Sequence, residues 1–316
     1  MQTKSQIQEL LSSAGISPTR RLGQHFLVDL NLMRLLVDSA QISRRDVVLE
    51  IGTGTGSLTE ALAEQAGHVV TVELDRTLAG IAQSRLAGIE NVQLINADVL
   101  SGKGTINPIV AEAVTRAQAW LGVIGPMAPI GPINPTGVPA AGGRFLLVSN
   151  LPYDVASSVM INLVRGPMTA DAMFATVQKE VAERMTARPG GRDYGTLSIF
   201  LQATGAVETM RRLKPSVFWP PPGVDSAMVR YARDQAKSRR ILDMDLFGSV
   251  ISLFIGHRRK MLRACIKQAP AELGGRDLWP KLFEQHSIDP TRRPEGLSPE
   301  QYVDLANSCC QLMQAR

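Results

Sequence analysis

Asn150-Leu151-Pro152-Tyr153 places four chemically useful groups in one short run: an amide side chain, a peptide carbonyl, a proline that fixes φ, and an aromatic ring. An exocyclic amine such as adenine N6 is a poor nucleophile, because its lone pair is delocalised into the ring. The Asn150 side-chain oxygen and the Leu151 carbonyl are two acceptors that could hold both N–H bonds in a geometry that frees that pair. Fixed dipoles of this kind help only where they act more strongly on the transition state than on the ground state. Tyr153 offers a flat face on which a base stacks, for roughly 1–3 kcal/mol. Taken alone, the run reads equally well as a polar strand-to-helix turn with a core tyrosine.

The elements around this run sharpen the choice. It follows Phe145-Leu146-Leu147-Val148, continuously apolar and so the mark of a parallel strand buried on both faces. Asn150 then stands at a strand's carboxyl end, where open α/β sheets bind ligands. Upstream, Val47-Val48-Leu49-Glu50-Ile51 runs into Gly52-Thr53-Gly54-Thr55-Gly56-Ser57 and a helix over 58–66. A second strand, His68 to Val72, ends at Glu73, placed to accept from a ribose diol. A third, Val92 to Ile95, ends at Asn96-Ala97-Asp98, whose carboxylate suits an adenine amino group. In the dinucleotide fingerprint the third glycine falls at position 57, which here is Ser57. Glu50-x-Gly52-x-Gly54-x-Gly56 has instead the spacing of the glycine loop in S-adenosylmethionine methyltransferases, which accommodates an amino-acid moiety rather than a pyrophosphate. Ordinary βα turns are the plainer explanation of the same three strand ends.

Elsewhere the periodicity predicts helices over 5–15 and 29–40, separated by Arg20-Arg21-Leu22-Gly23-Gln24-His25-Phe26-Leu27, a basic, glycine-hinged segment with the character of a lid. A helix is expected from Pro108 to Leu121, followed by a Gly/Pro-rich stretch; residues 103–143 read as a surface insertion that either touches a partner or stays unordered. After Tyr153 come a helix to Val164, a strand over 174–178 with a helix behind it, an apolar element over 196–204, and two further segments at 207–213 and 227–231. Between those two, Phe218-Trp219-Pro220-Pro221-Pro222 is expected to be stiff and extended, presenting Phe218 opposite Tyr153 to complete a sandwich around an extruded base. A buried loop phenylalanine is the alternative. The chain from 241 onward is helical in pattern, with His257-Arg258-Arg259-Lys260 and Arg263 expected on a helix over 254–265, where they could grip phosphates. Ser298-Pro299-Glu300-Gln301 is a capping box that opens the last helix.

Composition narrows the function classes. The 316 residues, 44% hydrophobic, suit one large domain and a smaller one, without a run long enough for a membrane span. Met1-Gln2-Thr3-Lys4-Ser5-Gln6 lacks the charged and apolar regions of a signal peptide, so a cytoplasmic protein is expected. Cys265, Cys309 and Cys310 lack metal-ligand spacing and read as structural thiols, so no metal is expected. The net charge is +5, and residues 236–316 carry 13 Lys and Arg against 9 Asp and Glu, so most of the excess lies in the tail. A basic small domain beside a nearly neutral large one suits a polyanion.

Met in this order, the residues resemble the small-subunit rRNA adenine N6,N6-dimethyltransferases (dimethyladenosine transferases). The matching pieces are Gly23-Gln24-His25-Phe26-Leu27, Leu49-Glu50-Ile51-Gly52-Thr53-Gly54, Val72-Glu73-Leu74-Asp75, Asn150-Leu151-Pro152-Tyr153, Gln178-Lys179-Glu180-Val181, Tyr194-Gly195, Pro220-Pro221-Pro222-Gly223-Val224-Asp225-Ser226 and His257-Arg258-Arg259-Lys260. The resemblance implies an α/β fold: a seven-stranded Rossmann-like class I methyltransferase sheet over 1–235, with a small all-α, basic C-terminal domain over 236–316. It implies S-adenosyl-L-methionine as cofactor, contacted at His25, Leu27, Gly52, Gly54, Glu73, Asp98 and Asn150. Catalysis falls to Asn150, Leu151, Pro152, Tyr153 and Phe218, and RNA binding to Arg20, Arg21, Arg258, Arg259, Lys260 and Arg263. Its implied act is dimethylation of two adjacent adenosines in a loop near the 3′ end of small-subunit rRNA, on the immature subunit, by a monomer. His25 stands where the family usually has asparagine, Thr53 where it has proline, and Trp219 where a small polar residue is common. The alternatives are a large-subunit rRNA adenine methylase of the macrolide-resistance type, disfavoured by Asp225 and the His257–Lys260 run, and a ribosome-assembly factor that keeps the fold without the activity.

Overall fold

The computed structural model describes residues 1–18, 24–102, 104–122 and 143–314. Strands form where the apolar runs predict them, β1 (Val47–Ile51), β2 (His68–Glu73), β3 (Val92–Asn96), β4 (Phe145–Asn150) and β5 (Ala172–Gln178), and the two later segments are strands as well, β6 (Gly205–Leu213) and β7 (Ser226–Arg233). They build one sheet in the order β3-β2-β1-β4-β5-β7-β6. Pairing is parallel from β3 through to β5, and β7 runs antiparallel to β5. The chain steps outward from β1 to β3 and then returns to lay β4 on the other side of β1. That reversal opens a crevice between the carboxyl ends of β1 and β4, the place where such sheets take ligands.

The chain divides into two compact units, Met1–Ala182 with Glu208–Ala232, and Glu183–Val207 with Arg233–Arg316. In the first, α1, α2, α4 and α5 start where a side-chain cap satisfies free amides. Thr3 forms a capping box with Gln6 at the head of α1 (Lys4–Ser13), and Asp29 accepts from Asn31 and Leu32 at the head of α2 (Leu30–Ala40). The αL Gly56 precedes α3 (Ser57–Ala63), Asp75 caps α4 (Arg76–Arg85), and Asn107 with Pro108 starts α5 (Pro108–Trp120). Helix α6 (Ala156–Arg165) follows the Asn150 turn. Leu36, Val37 and Leu62 from α2 and α3 pack on Val48, Val69, Leu146 and Val148 of the sheet. The intervening strand residues face the other way, toward the side of the sheet where α5 packs. Each such side chain contributes about 1.5–3 kcal/mol by leaving water, so Leu36→Ala at the centre of the layer costs about 2–5 kcal/mol.

The second unit is helical. It holds the second half of α7 (Lys179–Thr186), then α8 (Thr196–Thr204), α9 (Gln235–Arg239), α10 (Met244–Ile255), α11 (Leu262–Cys265), α12 (Trp279–Gln285) and α13 (Pro299–Gln314). Its centre is aromatic: Phe254 meets Trp279 edge-on at 5.1 Å and lies within 6.4 Å of Tyr302. Ser298 and Gln301 exchange the two bonds of the expected capping box at α13. All three cysteines are buried thiols. The division expected at residue 235 is different here, because residues 183–207 group with the C-terminal helices. The cause is apolar packing across a long sequence distance, with Phe200 of α8 edge-on to Phe247 of α10 at 5.4 Å.

A second difference concerns the basic run. Helix α10 stops at Ile255, and Gly256 to Lys260 form successive tight turns before α11, so His257-Arg258-Arg259-Lys260 is not on a continuous helix. Leu262 and Arg263 donate their amides to the carbonyls of Arg292 and Pro290, which redirects the chain. Cations just beyond a helix's carboxyl end are favourably placed against its dipole. Among the described residues no helix is long and apolar enough to cross a membrane. Nor does any group of His, Cys, Asp and Glu among them suit a metal ion.

Candidate functional site

Glycine is required at the foot of the crevice for a steric reason. Gly52 has φ +87°, and a Cβ there would meet Pro152 Cγ at 3.3 Å and the Asn150 carbonyl at 3.7 Å. The glycine loop after β1 and the turn after β4 therefore touch backbone to ring, which only glycine permits at that conformation. Gly54, at φ +57°, lies against the Phe26 ring in the same way, 3.0 Å from a Cβ placed there. Above this contact lies a cleft that is partly open to solvent.

One wall is acidic. Glu73, at the end of β2 and only 7% exposed, accepts the Gly54 amide at 2.8 Å on one oxygen and the Asp75 amide at 2.9 Å on the other. Burial raises its carboxyl above the usual range while these backbone donors oppose the shift. Each carboxylate oxygen keeps a second lone pair for a diol. Asp98 is exposed at the cleft, with one oxygen on the Leu100 amide at 2.9 Å. Between the two acids, Val72, Leu74, Leu78 and Val99 supply an apolar bed for a flat base. Acceptors for a diol and an exocyclic amine flanking an apolar slot, beside a loop stripped of Cβ atoms, fit a nucleoside cofactor.

The other wall is the turn after β4. The Asn150 amide is oriented from both ends: its Nδ2 donates to the His25 carbonyl at 2.8 Å, and its Oδ1 accepts from the Thr176 hydroxyl. A carbonyl can only accept, so Nδ2 must face His25 and Oδ1 must face Thr176. Leu151, Pro152 and Tyr153 line the cleft beside it, and Tyr153 Oη lies 2.6 Å from Ser226 Oγ. Burial pushes the Tyr153 phenol up, so it stays neutral. The His25 imidazole stacks on the Tyr153 ring, with centroids 5.4 Å apart and planes at 29°. Beneath the loop, Glu50 is fully buried and accepts from the hydroxyls of Thr59 at 2.6 Å and Thr71 at 2.7 Å, and Thr71 in turn lies 2.6 Å from Thr53. Burial foremost, with the neighbouring Glu73, raises Glu50 to about 8 against the pull of the two threonines.

These features match a known group of proteins. The ribosomal RNA adenine dimethylase family fits residues 17–311 of the sequence. The chain belongs to that family. Over 303 residues it is 35% identical to a Ribosomal RNA small subunit methyltransferase A of Pelotomaculum thermopropionicum, covering 96% of this chain and 95% of that one. A protein of the same name from a Geobacillus species is 32% identical over 307 residues, covering 97% and 96%. The fold is shared with a crystal structure of a dimethyladenosine transferase from Plasmodium falciparum, with TM-score 0.67 and 20% identity over 91% of this chain and 98% of that one. It is shared with 23S rRNA methyltransferase ErmE at TM-score 0.56 and 21% identity, over 90% and 100%. The α/β methyltransferase fold expected from the motifs is that of the solved structures, and the dimethylase activity class is that of the family and its sequence relatives.

Within this dimethylase, most of the expected site residues meet in the cleft: His25, Gly52, Gly54, Glu73, Asp98, Asn150, Leu151, Pro152 and Tyr153 line it. Two do not. Leu27 is 4% exposed, packed in the apolar core beneath, and borders only a smaller space beside the glycine loop. Phe218 is 3% exposed in the same core, paired with Leu27 in a short antiparallel ribbon of Phe26–Leu27 with Phe218–Trp219. It cannot oppose Tyr153 without leaving that core, and the ring that does lie on Tyr153 is His25. Gln24, Phe26 and Asp154 also border the cleft, and Thr176 and Ser226 hold its two key side chains. Sequence reasoning gave neither a role: strand register puts Thr176 beside Asn150, and Ser226, although it closes the quoted Pro220–Ser226 motif, reaches Tyr153 only through the pairing of β7 with β5.

The basic residues divide. Arg258 is engaged, with its Nε at 3.0 Å and a terminal nitrogen at 2.9 Å from Glu295 and a further bond to the Arg192 carbonyl at 2.7 Å. Arg259, Lys260 and Arg263 are exposed. Arg20, Arg21 and most of the 103–143 insertion lie outside the described residues.

Proposed function

We propose that this dimethylase uses S-adenosyl-L-methionine to place two methyl groups on N6 of each of two adjacent adenosines in the 3′-terminal loop of small-subunit rRNA, as the small ribosomal subunit matures in the cytoplasm. The observation that carries the reading is the contact of Gly52 with Pro152, which sets the glycine loop and the Asn150 amide at one end of a single cleft. The relatives that match over nearly their whole length are small subunit methyltransferases by name, which favours the small subunit.

The cofactor, when bound, supplies an electrophilic methyl on a sulfonium. On this reading Glu73 accepts from its ribose hydroxyls and Asp98 from its adenine amino group, while Leu74, Leu78 and Val99 pack on the base. Asn150 Oδ1 and the Leu151 carbonyl accept from the target amine and turn its lone pair toward the donor, an interaction that strengthens as charge develops on nitrogen. Tyr153, tethered by Ser226, holds the extruded base flat. The amine becomes acidic as it is alkylated, so its proton passes to water without a dedicated base. Loop bases are already unstacked, which keeps extrusion within a few kcal/mol. Arg259, Lys260 and Arg263, with Arg20 and Arg21, serve the phosphates.

The test is primer extension on small-subunit rRNA incubated with the protein and labelled cofactor. Stops at two adjacent 3′-terminal adenosines are expected. Label confined to large-subunit rRNA would overturn the assignment in favour of the ErmE-like activity.

A further inference from the structure

We infer that Arg211, Arg212 and Lys214, at the carboxyl end of the edge strand β6, hold the RNA phosphates that flank the target nucleotide. The inference rests on the rRNA-methylating reading above and extends the RNA contact to the sheet itself. The strand closes as Thr209-Met210-Arg211-Arg212-Leu213, with Lys214 next in line. All three cations are exposed, while Leu213 between them is buried and Met210 packs on the same apolar layer, so the strand end is anchored beneath its charges. Consecutive strand residues take opposite faces, and Arg211 and Arg212 therefore straddle the edge. Glu208, the one acid in the strand, is paired with Arg230 at 3.1 Å, so nothing within β6 offsets the three charges.

Backbone pairing fixes where this charge stands. Residues 208–232 belong to the same compact unit as the cleft, and β6 ends the sheet beyond β4, β5 and β7. On leaving β6 the chain turns at once, with the Lys214 carbonyl accepting the Val217 amide at 3.2 Å and the Val217 carbonyl accepting the Val28 amide at 3.0 Å. Phe218 then pairs with Leu27, two residues from His25 in the cleft wall. The basic end of β6 thus lies at the same end of the sheet as the Asn150 turn. Three strand spacings, about 14 Å, separate β6 from β4. That is too far for the target base and suits the backbone on either side of it, which an RNA loop entering the cleft must carry across this end of the sheet. Phosphate contacts from Arg and Lys set the register of a nucleic acid without reading its sequence, the part left open by base recognition at Asn150 and Tyr153.

The experiment measures binding of a 3′-terminal small-subunit rRNA fragment across a salt series, beside methylation kinetics and calorimetric titration of S-adenosylmethionine. In Arg211→Gln/Arg212→Gln/Lys214→Gln the slope of log Kd against log salt falls by about 2, from three lost contacts at roughly 0.7 each, and the RNA KM at low salt rises at least about tenfold. The kcat at saturating RNA and the cofactor Kd stay within about twofold, which also reports an intact fold. Arg211→Lys/Arg212→Lys keeps the charge and the parent slope. Arg45→Gln/Arg116→Gln, which removes two charges elsewhere in the unit, keeps that slope as well. The proposal is overturned if the triple variant retains the parent slope, if the lysine variant loses it, or if the Arg45 and Arg116 variant loses as much. A triple variant that retains the slope but self-associates would make these residues guards of a sheet edge instead. A parent protein that binds RNA and cofactor yet methylates no small-subunit rRNA sinks the functional reading, whereas the slopes, read from binding alone, still decide this proposal.

Discussion

Thr176 and Asn150 are register partners on adjacent parallel strands, and the hydroxyl of the first donates to Oδ1 of the second. With Nδ2 fixed on the His25 carbonyl, the amide has one orientation, and its oxygen presents its remaining lone pair toward the cleft. The Asn150 amide is thus oriented in advance, the property that the role proposed for it requires of a hydrogen-bond acceptor.

Removing that tether is expected to slow chemistry without weakening cofactor binding. Thr176→Val should lower the single-turnover methyl-transfer rate about tenfold, Thr176→Ser should stay near the parent, and Asn150→Ala should fall to background. An unchanged rate in Thr176→Val would show that the hydroxyl plays no part in orienting Asn150.

Glu73 presents the opposite split. Its two oxygens hold the Gly54 and Asp75 amides, so the side chain shapes the glycine loop as well as lining the cleft, where the proposed cofactor would meet it. Glu73→Ala should raise the calorimetric cofactor Kd by at least about 100-fold, because it removes charge-assisted bonds on both sides. Binding within a few-fold of the parent would place the cofactor elsewhere.

Glu50 predicts a pH effect on stability. Its carboxyl, raised from 4.5 to about 8 chiefly by burial, keeps in the folded state a proton that the unfolded chain has released. Its stabilising contribution is therefore complete below about pH 4.5 and is lost as pH climbs through 8. Glu50→Gln, neutral at every pH, should match the parent near pH 5 and exceed it by a few kcal/mol at pH 8 in urea denaturation. Parallel pH profiles for the two proteins would contradict a protonated Glu50.

The basic turn should separate into structural and RNA-facing members. Arg258→Ala is expected to cost about 1–2 kcal/mol of stability by stranding Glu295 and the Arg192 carbonyl. Replacing Arg259 and Lys260 together should leave stability unchanged and reduce the salt slope of RNA binding by about 2. Equal salt slopes in the double variant and the parent would remove both from phosphate contact.

Sequence alone determined the parts of this protein whose signals are local. Apolar runs marked the strands of a buried parallel sheet, glycines marked the loop that approaches a ligand, and Glu73, Asp98 and Asn150 followed as residues at strand ends, because consecutive parallel strands bring their carboxyl ends to one edge. The same local logic found the capping box at Ser298. Tertiary structure decided everything that depends on which distant segments meet. Pairing of Leu27 with Phe218 across 191 positions took both into the core and left His25 on Tyr153. Strand register put Thr176 behind Asn150, and Phe200 against Phe247 drew residues 183–207 into the helical unit. A motif records what a backbone does over a few residues; which side chains share a cleft is settled by long-range burial and strand pairing, and these leave no mark at any single position.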